Sequence, residues 1–498
     1  MAIESSSYKS IVKSMAVYGG AQAVQMLITI LRSKLIAVFF GSQGMGINAI
    51  FQSTFAVINS FSSFGIFQSG VRDISQAHES GDKMKLSKTV SIFSKIVLLT
   101  GLLGLFICLI GSSFLSKIAF EGSNYTWHFV LLSIALLFSA LSNGKVTFLQ
   151  GTRSMNYLAK STMIGAILSL VTSIPLFYFF GITGIVISIV SGSIVIYLTQ
   201  FYFSKKIKLV PCESLTISET IKEGKPMLKL GSVLMLSTVM ITVFTYITNI
   251  FIGRYGKIED VGLFQGVSSI TMQSIAIVVA VLASDFFPRL SAVHHDKSKV
   301  QNIVNNQAEL ISLIIAPIIV VLIIFAPLII RVLLSNDFMV IVPMLRWMAL
   351  SLLVRGVWLT LSYIILAKGD RKVYFIYDAF IGNGLLFLFN IIAYSIWGLQ
   401  GLGISYLVGS VAVSGILYFI VKIKYGFSFN GEFFKIFIIL TILVVSSFLA
   451  IQFLNVWIQY FFCGLVLITV FIYSFKILNN RIGIIQILES KLKAKTID

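Results

Sequence analysis

Long apolar runs follow one another along almost the whole chain, with only short polar breaks between them. About 20 apolar residues cross the hydrocarbon core of a bilayer as a helix. Because 57% of the 498 residues are hydrophobic and 11% are charged, no room remains for a sizeable soluble domain. The pattern predicts an all-α integral membrane protein with about fourteen transmembrane helices. They lie at approximately residues 14–40, 45–70, 90–115, 127–149, 158–180, 182–204, 228–253, 262–285, 307–333, 340–366, 373–397, 401–421, 434–454 and 457–476.

Lysine and arginine are distributed unevenly among the polar breaks. With the N-terminus in the cytoplasm, thirty of the 38 basic residues fall at inner loops, inner helix ends or the two tails. Those at outer ends are Lys117, Arg254, Lys257 and Arg331. Because basic residues favour the cytoplasmic side, we expect both termini in the cytoplasm. The net charge of +19 is then explained by topology, and no nucleic-acid partner is expected.

A thirteen-residue motif occurs twice. Gly181–Ser193 reads GITGIVISIVSGS, and Gly398–Ser410, 217 residues later, reads GLQGLGISYLVGS. Three further matches have nearly the same offset: Gly151–Arg153 with Gly369–Arg371, Gly41 and Gly46 with Gly256 and Gly262, and Arg72 with Arg289. Since missing an internal repeat misreads a fold, we interpret the chain as two similar halves. We expect the glycines and serines of the repeated motif to serve close helix packing within each half rather than substrate contact.

Each repeat contains six predicted spans, an even number, so the halves have the same orientation in the membrane. The sequence predicts a six-helix lobe over residues 1–210, a cytoplasmic linker over 211–227 and a second six-helix lobe over 228–425. An additional helix pair, 434–476, and a cytoplasmic tail, 477–498, follow.

Motifs for covalent chemistry are missing from the sequence. There is no phosphate-binding GxxxxGK[ST] loop, no HExxH or GxSxG, and no cysteine spacing that suggests a metal site. We therefore expect no catalytic residue, no metal, no cofactor and no enzyme activity.

Polar residues on one face of the first predicted helix are the clearest site candidates. Gln25, Thr29 and Arg32 recur at helical spacing. A charge at a helix centre costs roughly 2.5 to 3.5 kcal/mol on insertion scales, so such a residue usually faces a cavity or a partner. We choose Arg32 as the cavity-facing charge and expect the nearby Lys34 to extend towards the interface or to be paired.

Further candidates lie in three other helices. The second predicted helix contributes Gln52 and Asn59, and the seventh contributes Thr242 and Asn249. In the tenth, we favour Arg355 over Arg346, which is closer to the outer interface. These groups either line a shared polar cavity or form hydrogen bonds between neighbouring helices.

Three acidic residues near the membrane interior are candidates for ion coupling: Asp285, Asp378 and Glu309. They would either carry a coupling proton or form ion pairs, with Arg289 or Arg371 as partners.

Several segments resemble the Wzx group of lipid-linked oligosaccharide translocases, which serve O-antigen and enterobacterial common antigen assembly. The most specific is Asp260–Ile270, DVGLFQGVSSI. The others are Gly65–Val71, Phe287–Ser291, Leu333–Phe338 and Ile365–Lys368. Members commonly have twelve spans, so the last helix pair departs from the group, although extra pairs occur elsewhere in the MOP exporter superfamily.

The resemblance implies a flippase in the bacterial inner membrane that contributes to lipopolysaccharide or related polysaccharide biosynthesis. The two pseudo-symmetric six-helix lobes would then be of the MOP/MATE type. It would move undecaprenyl-diphosphate-linked oligosaccharide from the cytoplasmic to the periplasmic leaflet by alternating access, coupled to an ion gradient. Membrane lipids and other polysaccharide assembly proteins are the implied partners. A cation such as Arg32 or Arg355 would attract the diphosphate or an acidic sugar.

Three alternatives remain. A MATE-type exporter of organic cations should have acids rather than arginines in its cavity. A lipid II flippase is closer, and the Asp260–Ile270 segment speaks against it. A membrane glycosyltransferase or polysaccharide polymerase is disfavoured because the outer loops are short and contain no cluster of acids or histidines.

Overall fold

The computed structural model of the protein describes residues 2–120, 124–211, 216–281 and 286–482. Side chains are described in these ranges except at residues 2–18, 230, 233–234, 277–281, 371, 378 and 482. The regular structure over this part of the chain is helical. The helices are α1 (Ala2–Ser62), α2 (Ile66–Glu79), α3 (Lys83–Ala119), α4 (Thr126–Gly151), α5 (Met155–Phe180), α6 (Thr183–Ser204), α7 (Ile217–Tyr255), α8 (Ile258–Val281), α9 (Phe287–Ala292), α10 (Lys297–Ile324), α11 (Ala326–Leu333), α12 (Val342–Ala367), α13 (Arg371–Val373), α14 (Asn383–Tyr425), α15 (Gly431–Phe453) and α16 (Val456–Ile482). A 3-10 helix, Asn336–Ile341, precedes α12, and a π-helix, Tyr374–Gly382, precedes α14.

Eleven helical segments of the described chain are long and apolar enough to cross a membrane. Two of them, Gly19–Ser62 and Tyr374–Tyr425, have 44 and 52 residues and so can each hold two crossings. They bend at Gly41 (φ 62°) and Gly398 (φ 56°), in a left-handed conformation that glycine adopts without steric cost. The eighth predicted span overlaps α8. The predicted all-helical membrane fold is confirmed, and the first two predicted spans are two helical parts of α1 separated by a kink at Gly41.

The chain divides into two compact units. The first contains residues up to Gln265 together with Leu333–Asp337, and the second contains Gly266–Val332 and the residues from Phe338 onward. In the first unit, α4 packs against α3 and α6, α5 packs against α1 and α6, and α7 packs against α1, α2 and α3. In the second unit, α12 packs against α10 and α14, while α15 and α16 pack against each other and against α10.

The start of α7 lies within the segment that the sequence assigned to a linker. Thr216 accepts a hydrogen bond from the backbone N–H of Glu219, and the Glu219 carboxylate accepts one from the backbone N–H of Thr216. This reciprocal capping satisfies two free donors at the helix N-terminus. Residues from Ile217 onward are therefore helical and continuous with the seventh span.

The repeated sequence motif has a repeated geometry. Gly181 (φ 53°, ψ −137°) and Gly398 (φ 56°, ψ −140°) share one unusual backbone conformation. A Cβ atom on Gly184 would lie 2.2 Å from the carbonyl oxygen eight residues earlier, and one on Gly401 would lie 2.0 Å from the equivalent oxygen. These glycines allow close helix contact in both places, as the sequence analysis expected.

A second pair of matched glycines forms a reciprocal contact inside the first unit. A Cβ on Gly46 of α1 would lie 2.0 Å from the carbonyl oxygen of Ile258, and a Cβ on Gly262 of α8 would lie 1.8 Å from that of Ser42. Both pairs of residues, 42 with 258 and 46 with 262, differ by 216 positions. The contact therefore has the self-complementary form that a two-fold axis produces.

Candidate functional site

Arg32 is held against α6 by a serine of the repeated motif. The half-buried guanidinium donates from Nη2 to Ser188 Oγ at 3.0 Å. Ser188 Oγ in turn donates to the carbonyl oxygen of Ile185 at 2.7 Å. One turn further along α6, Gly192 also lies beside the arginine: a Cβ there would be 3.9 Å from Nη1, which is ordinary van der Waals contact.

The charge of Arg32 has no carboxylate partner among the described side chains. A hydrogen bond to a charged group contributes about 1.5 to 3 kcal/mol, which is similar to the roughly 2.5 to 3.5 kcal/mol cost of placing the charge at a helix centre. Ser188 can therefore hold the arginine in place without neutralising it. A guanidinium carries five N–H donors, so it can bind an anionic oxygen in addition to Ser188.

The other candidates of α1 have different environments. Gln25 and Thr29 are exposed, and the Thr29 hydroxyl donates to the backbone oxygen of Gln25 at 2.9 Å. Beyond the bend, Gln52 is exposed and Asn59 is half-buried. The polar faces predicted for the first two spans therefore include two accessible amides, Gln25 and Gln52, and the half-buried Arg32.

The candidates of α7 approach the second part of α1. Thr242 Oγ1 lies 3.0 Å from the Oγ of Ser60, within hydrogen-bond distance. Asn249, about two turns further along the same face of α7, is buried, and its Oδ1 has no hydrogen-bond partner among the described atoms. The structure thus places the predicted second and seventh spans side by side, with an unsatisfied amide oxygen on α7.

In the second unit, Arg355 of α12 lies between two aromatic rings. Its Cζ is 5.5 Å from the ring centroid of Tyr406 and 5.7 Å from that of Trp358. Ring faces attract cations, so the charge is stabilised there without a described carboxylate. Arg346 instead donates from Nε to the backbone oxygen of Ile323 at 3.2 Å.

Glu309 is the acidic candidate whose side chain the structure describes. It is 3% exposed, and its Oε2 lies 3.1 Å from Nη2 of Arg481 on α16. The same nitrogen contacts Glu432 at 2.6 Å. Glu309 Oε1 has no described hydrogen-bond partner. Asp285 and the side chain of Asp378 lie outside the described residues.

Comparison with known families identifies the class of protein. A family model described as polysaccharide biosynthesis protein matches residues 35–343, more than half of the chain. The chain belongs to the polysaccharide biosynthesis protein family.

Relatives of this polysaccharide biosynthesis protein include flippases. The lipid III flippases of Escherichia coli K12 and Shigella flexneri are each 20% identical to it over 347 residues, which is 69% of this chain and 82% of theirs. A solved structure of the lipid II flippase MurJ, in an inward closed conformation, matches with a TM-score of 0.70 at 18% identity, covering 94% of this chain and 99% of that one. An inward-facing multidrug resistance MATE transporter of the MOP superfamily matches with a TM-score of 0.67 at 16% identity, covering 83% and 94%. The fold is that of MOP superfamily transporters.

The sequence analysis missed one role of the repeated motif in this family member. It assigned the serines of the motif to helix packing alone, whereas Ser188 is the partner of Arg32 and Tyr406 is a partner of Arg355. The offset of 217 would have aligned position 188 with 405, beside Tyr406. The copies of the motif thus contact both of the arginines that the sequence singled out.

Proposed function

We propose that this polysaccharide biosynthesis protein is a flippase for undecaprenyl-diphosphate-linked oligosaccharide, an O-antigen or related repeat unit. It acts in the bacterial inner membrane, with both termini in the cytoplasm, and carries its substrate from the cytoplasmic to the periplasmic leaflet by alternating access. The family, the lipid III flippase relatives and the transporter fold support this proposal. No bond is made or broken in the substrate, so the protein needs no catalytic residue.

The observation that carries the proposal is the bonding of the Arg32 guanidinium. A guanidinium inside a membrane helix, held by one hydroxyl and lacking a described carboxylate, is suited to bind an anion that arrives and leaves. A diphosphate offers several charged oxygens that can accept paired N–H bonds. Permanent neutralisation by an acid would remove this capacity.

Other polar groups would contact the sugars. Gln25 and Gln52 are exposed amides, which can both donate to and accept from hydroxyl groups. Arg355 would bind a second anionic group or an acidic sugar, while Trp358 and Tyr406 offer ring faces to apolar sugar surfaces. The polyprenyl chain would remain in the bilayer, where its burial requires no polar protein surface.

The energy source of the proposed cycle is an ion gradient. Glu309, Asp285 and Asp378 are the candidates for ion coupling. For Glu309, the free Oε1 provides a place for a proton, and the ion pair with Arg481 provides a competing structural role. Glu309→Gln would separate these roles: transport without dependence on an imposed proton gradient supports coupling, and unchanged dependence rejects it for this residue.

A lipid II flippase is the second candidate function. The match to MurJ covers 94% of this chain, compared with 83% for the MATE transporter. The two flippase substrates share the polyprenyl diphosphate and differ in the sugars. Arg32 would bind the diphosphate of either substrate, so an experiment has to show which sugar portion the protein accepts.

The test uses purified protein in liposomes with an imposed ion gradient and a labelled lipid-linked oligosaccharide. Leaflet exchange without ATP is expected, and Arg32→Ala should reduce its rate at least tenfold while membrane insertion is retained. Arg346→Ala removes an equal charge from a residue bonded to a backbone oxygen and serves as the control. The proposal would be rejected if the protein exchanged neither the lipid-linked oligosaccharide nor lipid II between the leaflets. A normal exchange rate with Arg32→Ala would reject Arg32 as the binding residue. Complementation of a flippase-null strain provides the test in cells.

A further inference from the structure

A groove of about 520 Å³ lies on the first unit between α3 and the N-terminal part of α7. It is separate from the Arg32 site and shares no residue with it. Its wall on α3 is apolar except for one hydroxyl, and its wall on α7 includes two lysines. The lining residues used below are Leu99, Leu103, Ile221, Lys225, Leu228 and Lys229.

Two close backbone contacts of α7 border the groove. A Cβ on Gly224 would lie 2.2 Å from Cδ1 of Ile96, and one on Gly231 would lie 2.4 Å from the carbonyl oxygen of Phe64. Seven residues correspond to about two helical turns, so both glycines face the same way. The α7 side chains near these contacts line the groove together with side chains of α3.

Lysines occupy the rim of the groove. Lys225 and Lys229 are four residues apart, which puts them on one face of α7, and both are exposed. The nearby Glu223 is paired with Lys88 of α3 at 2.8 Å. No described carboxylate lies within ion-pair distance of Lys225 or Lys229, so their charges are available to an anion.

The depth of the charges suits a lipid headgroup. Lys229 lies six residues, or about 9 Å along a helix, before Met235, and the stretch Met235–Tyr255 is long and apolar enough to cross a membrane. Further along α3, beyond Leu103, the side chains of Phe106 and Ile110 are exposed, as expected for a face that contacts lipid. The groove therefore runs from headgroup level towards the hydrocarbon core.

We propose that this groove binds an anionic glycerophospholipid of the surrounding bilayer as a resident lipid. The phosphate lies between the ammonium groups of Lys225 and Lys229, and one acyl chain lies along Leu99, Leu103 and Leu228. A zwitterionic lipid would place its own cation beside the lysines and is disfavoured. The bound lipid fixes the N-terminal part of α7 to α3.

The experiment measures lipids retained by the purified full-length protein after exposure to equal amounts of phosphatidylglycerol and phosphatidylcholine with identical acyl chains, by native mass spectrometry. Each lysine near a lipid surface favours an anionic lipid by roughly fivefold, so Lys225→Gln/Lys229→Gln should lower the preference for phosphatidylglycerol by about 25-fold. Lys83→Gln/Lys85→Gln removes the same charge from exposed residues outside the groove and should retain the preference. Lys225→Arg/Lys229→Arg should also retain it.

A fourth variant tests the acyl-chain part of the site. Leu99→Trp fills the groove without changing charge and should reduce retention of both lipids. The proposal is overturned if the Lys225/Lys229 variant changes the preference less than threefold, or if the Lys83/Lys85 control changes it equally, which would indicate surface charge alone. Unchanged retention with Leu99→Trp would likewise overturn it. Displacement by soluble glycerophosphate would identify a free-anion site, and preferential retention of undecaprenyl diphosphate would identify a substrate site; either result rejects a resident phospholipid.

Discussion

Arg32 and Arg355 show two ways to hold a positive charge within a membrane helix without a described carboxylate. A serine hydroxyl holds Arg32 at 3.0 Å, and two aromatic rings lie within 6 Å of the Arg355 guanidinium. Both arrangements orient the cation and leave N–H donors available. They therefore favour a ligand that binds and leaves over a permanent ion pair.

Ser188→Ala tests whether Ser188 positions Arg32. Loss of the hydroxyl frees the guanidinium, so we expect a flipping rate reduced about threefold to tenfold, less than with Arg32→Ala. The double variant should be no slower than Arg32→Ala, because both changes affect one interaction. Ser193→Ala, on the same helix with its hydroxyl bonded to the backbone oxygen of Val190, is the control. Additive losses in the double variant would contradict this role.

The cluster of Arg481, Glu309 and Glu432 predicts an asymmetry in stability. Removing one partner of a buried ion pair costs about 3–5 kcal/mol because a buried charge is left unpaired, and the half-exposed Arg481 suggests the lower end. Arg481→Ala should therefore lower the melting temperature in detergent clearly. Glu309→Gln leaves Arg481 paired with the exposed Glu432 and should change it little. An equal fall in melting temperature for Arg481→Ala and Glu309→Gln would contradict this asymmetry.

In the first unit, the segments around Gly46 and Gly262, which match each other in sequence, pack closely through their glycines. Gly46 and Gly262 each abut a backbone oxygen of the other segment, and backbone atoms cannot move aside as a side-chain end can. The geometry explains why a methyl group would be tolerated at neither position. The sequence offset of 216 and the reciprocal contact both reflect the internal repeat, the first in the sequence and the second in the packing.

Gly46→Ala should destabilise the protein by about 2 kcal/mol or more, since it overpacks a contact made by the backbone. Gly262→Ala should have a similar effect, and the double variant should lose less than the sum, because one displacement relieves both clashes. Gly415→Ala is the control: a Cβ there meets nothing within 4 Å. Thermal unfolding in detergent compares these four variants with the wild type. Wild-type stability of Gly46→Ala would refute the close contact.

The turn after α12 is joined to the end of α14 by Asp370, which contacts Lys424 at 2.6 Å and Tyr425 at 3.2 Å. The hydrogen bond from Lys424 lowers the pKa of Asp370 below its ordinary value of 3.8. A carboxyl with a lowered folded pKa contributes stability above its unfolded pKa and loses it as the pH falls through the folded pKa. The stability difference between the wild type and Asp370→Asn should therefore be constant from pH 5 to pH 8. A difference that declines within this range would contradict the lowered pKa.

The helical fold could be read from the sequence because apolar length and basic loops are local signals. The break between the first two spans was also visible in the glycines of GSQGMG, but its form was not, since a kink at the single residue Gly41 and a longer loop have the same sequence signal. Ser188 was visible as part of a repeat, but its contact with Arg32 joins residues 156 positions apart. Similarly, Glu309 pairs with Arg481, 172 residues away, rather than with a nearby arginine. Pairings at such distances depend on tertiary packing, which periodicity does not encode.

The last two helices are part of the second unit rather than an appendage to a twelve-span transporter. Phe433 of α15 packs in an apolar cluster with Ala308 and Val357, and Arg481 of α16 neutralises Glu309. Removal of the pair would expose this cluster and leave a buried carboxylate without its cation. The pair therefore contributes to the stability of the unit.

A chain truncated before Gly431 should be less stable than the full chain, with a lower melting temperature and less folded protein recovered from membranes. Two causes contribute, exposed apolar surface and the unpaired charge of Glu309, and a second substitution separates them. In the truncated chain, Glu309→Gln removes the unpaired charge and should restore part of the loss, whereas in the full chain the same substitution should have little effect. Ile311→Val, two residues along the same helix, removes a methylene group without altering charge and should give no restoration. If Glu309→Gln failed to help the truncated chain, the helix pair would stabilise the unit through apolar packing alone.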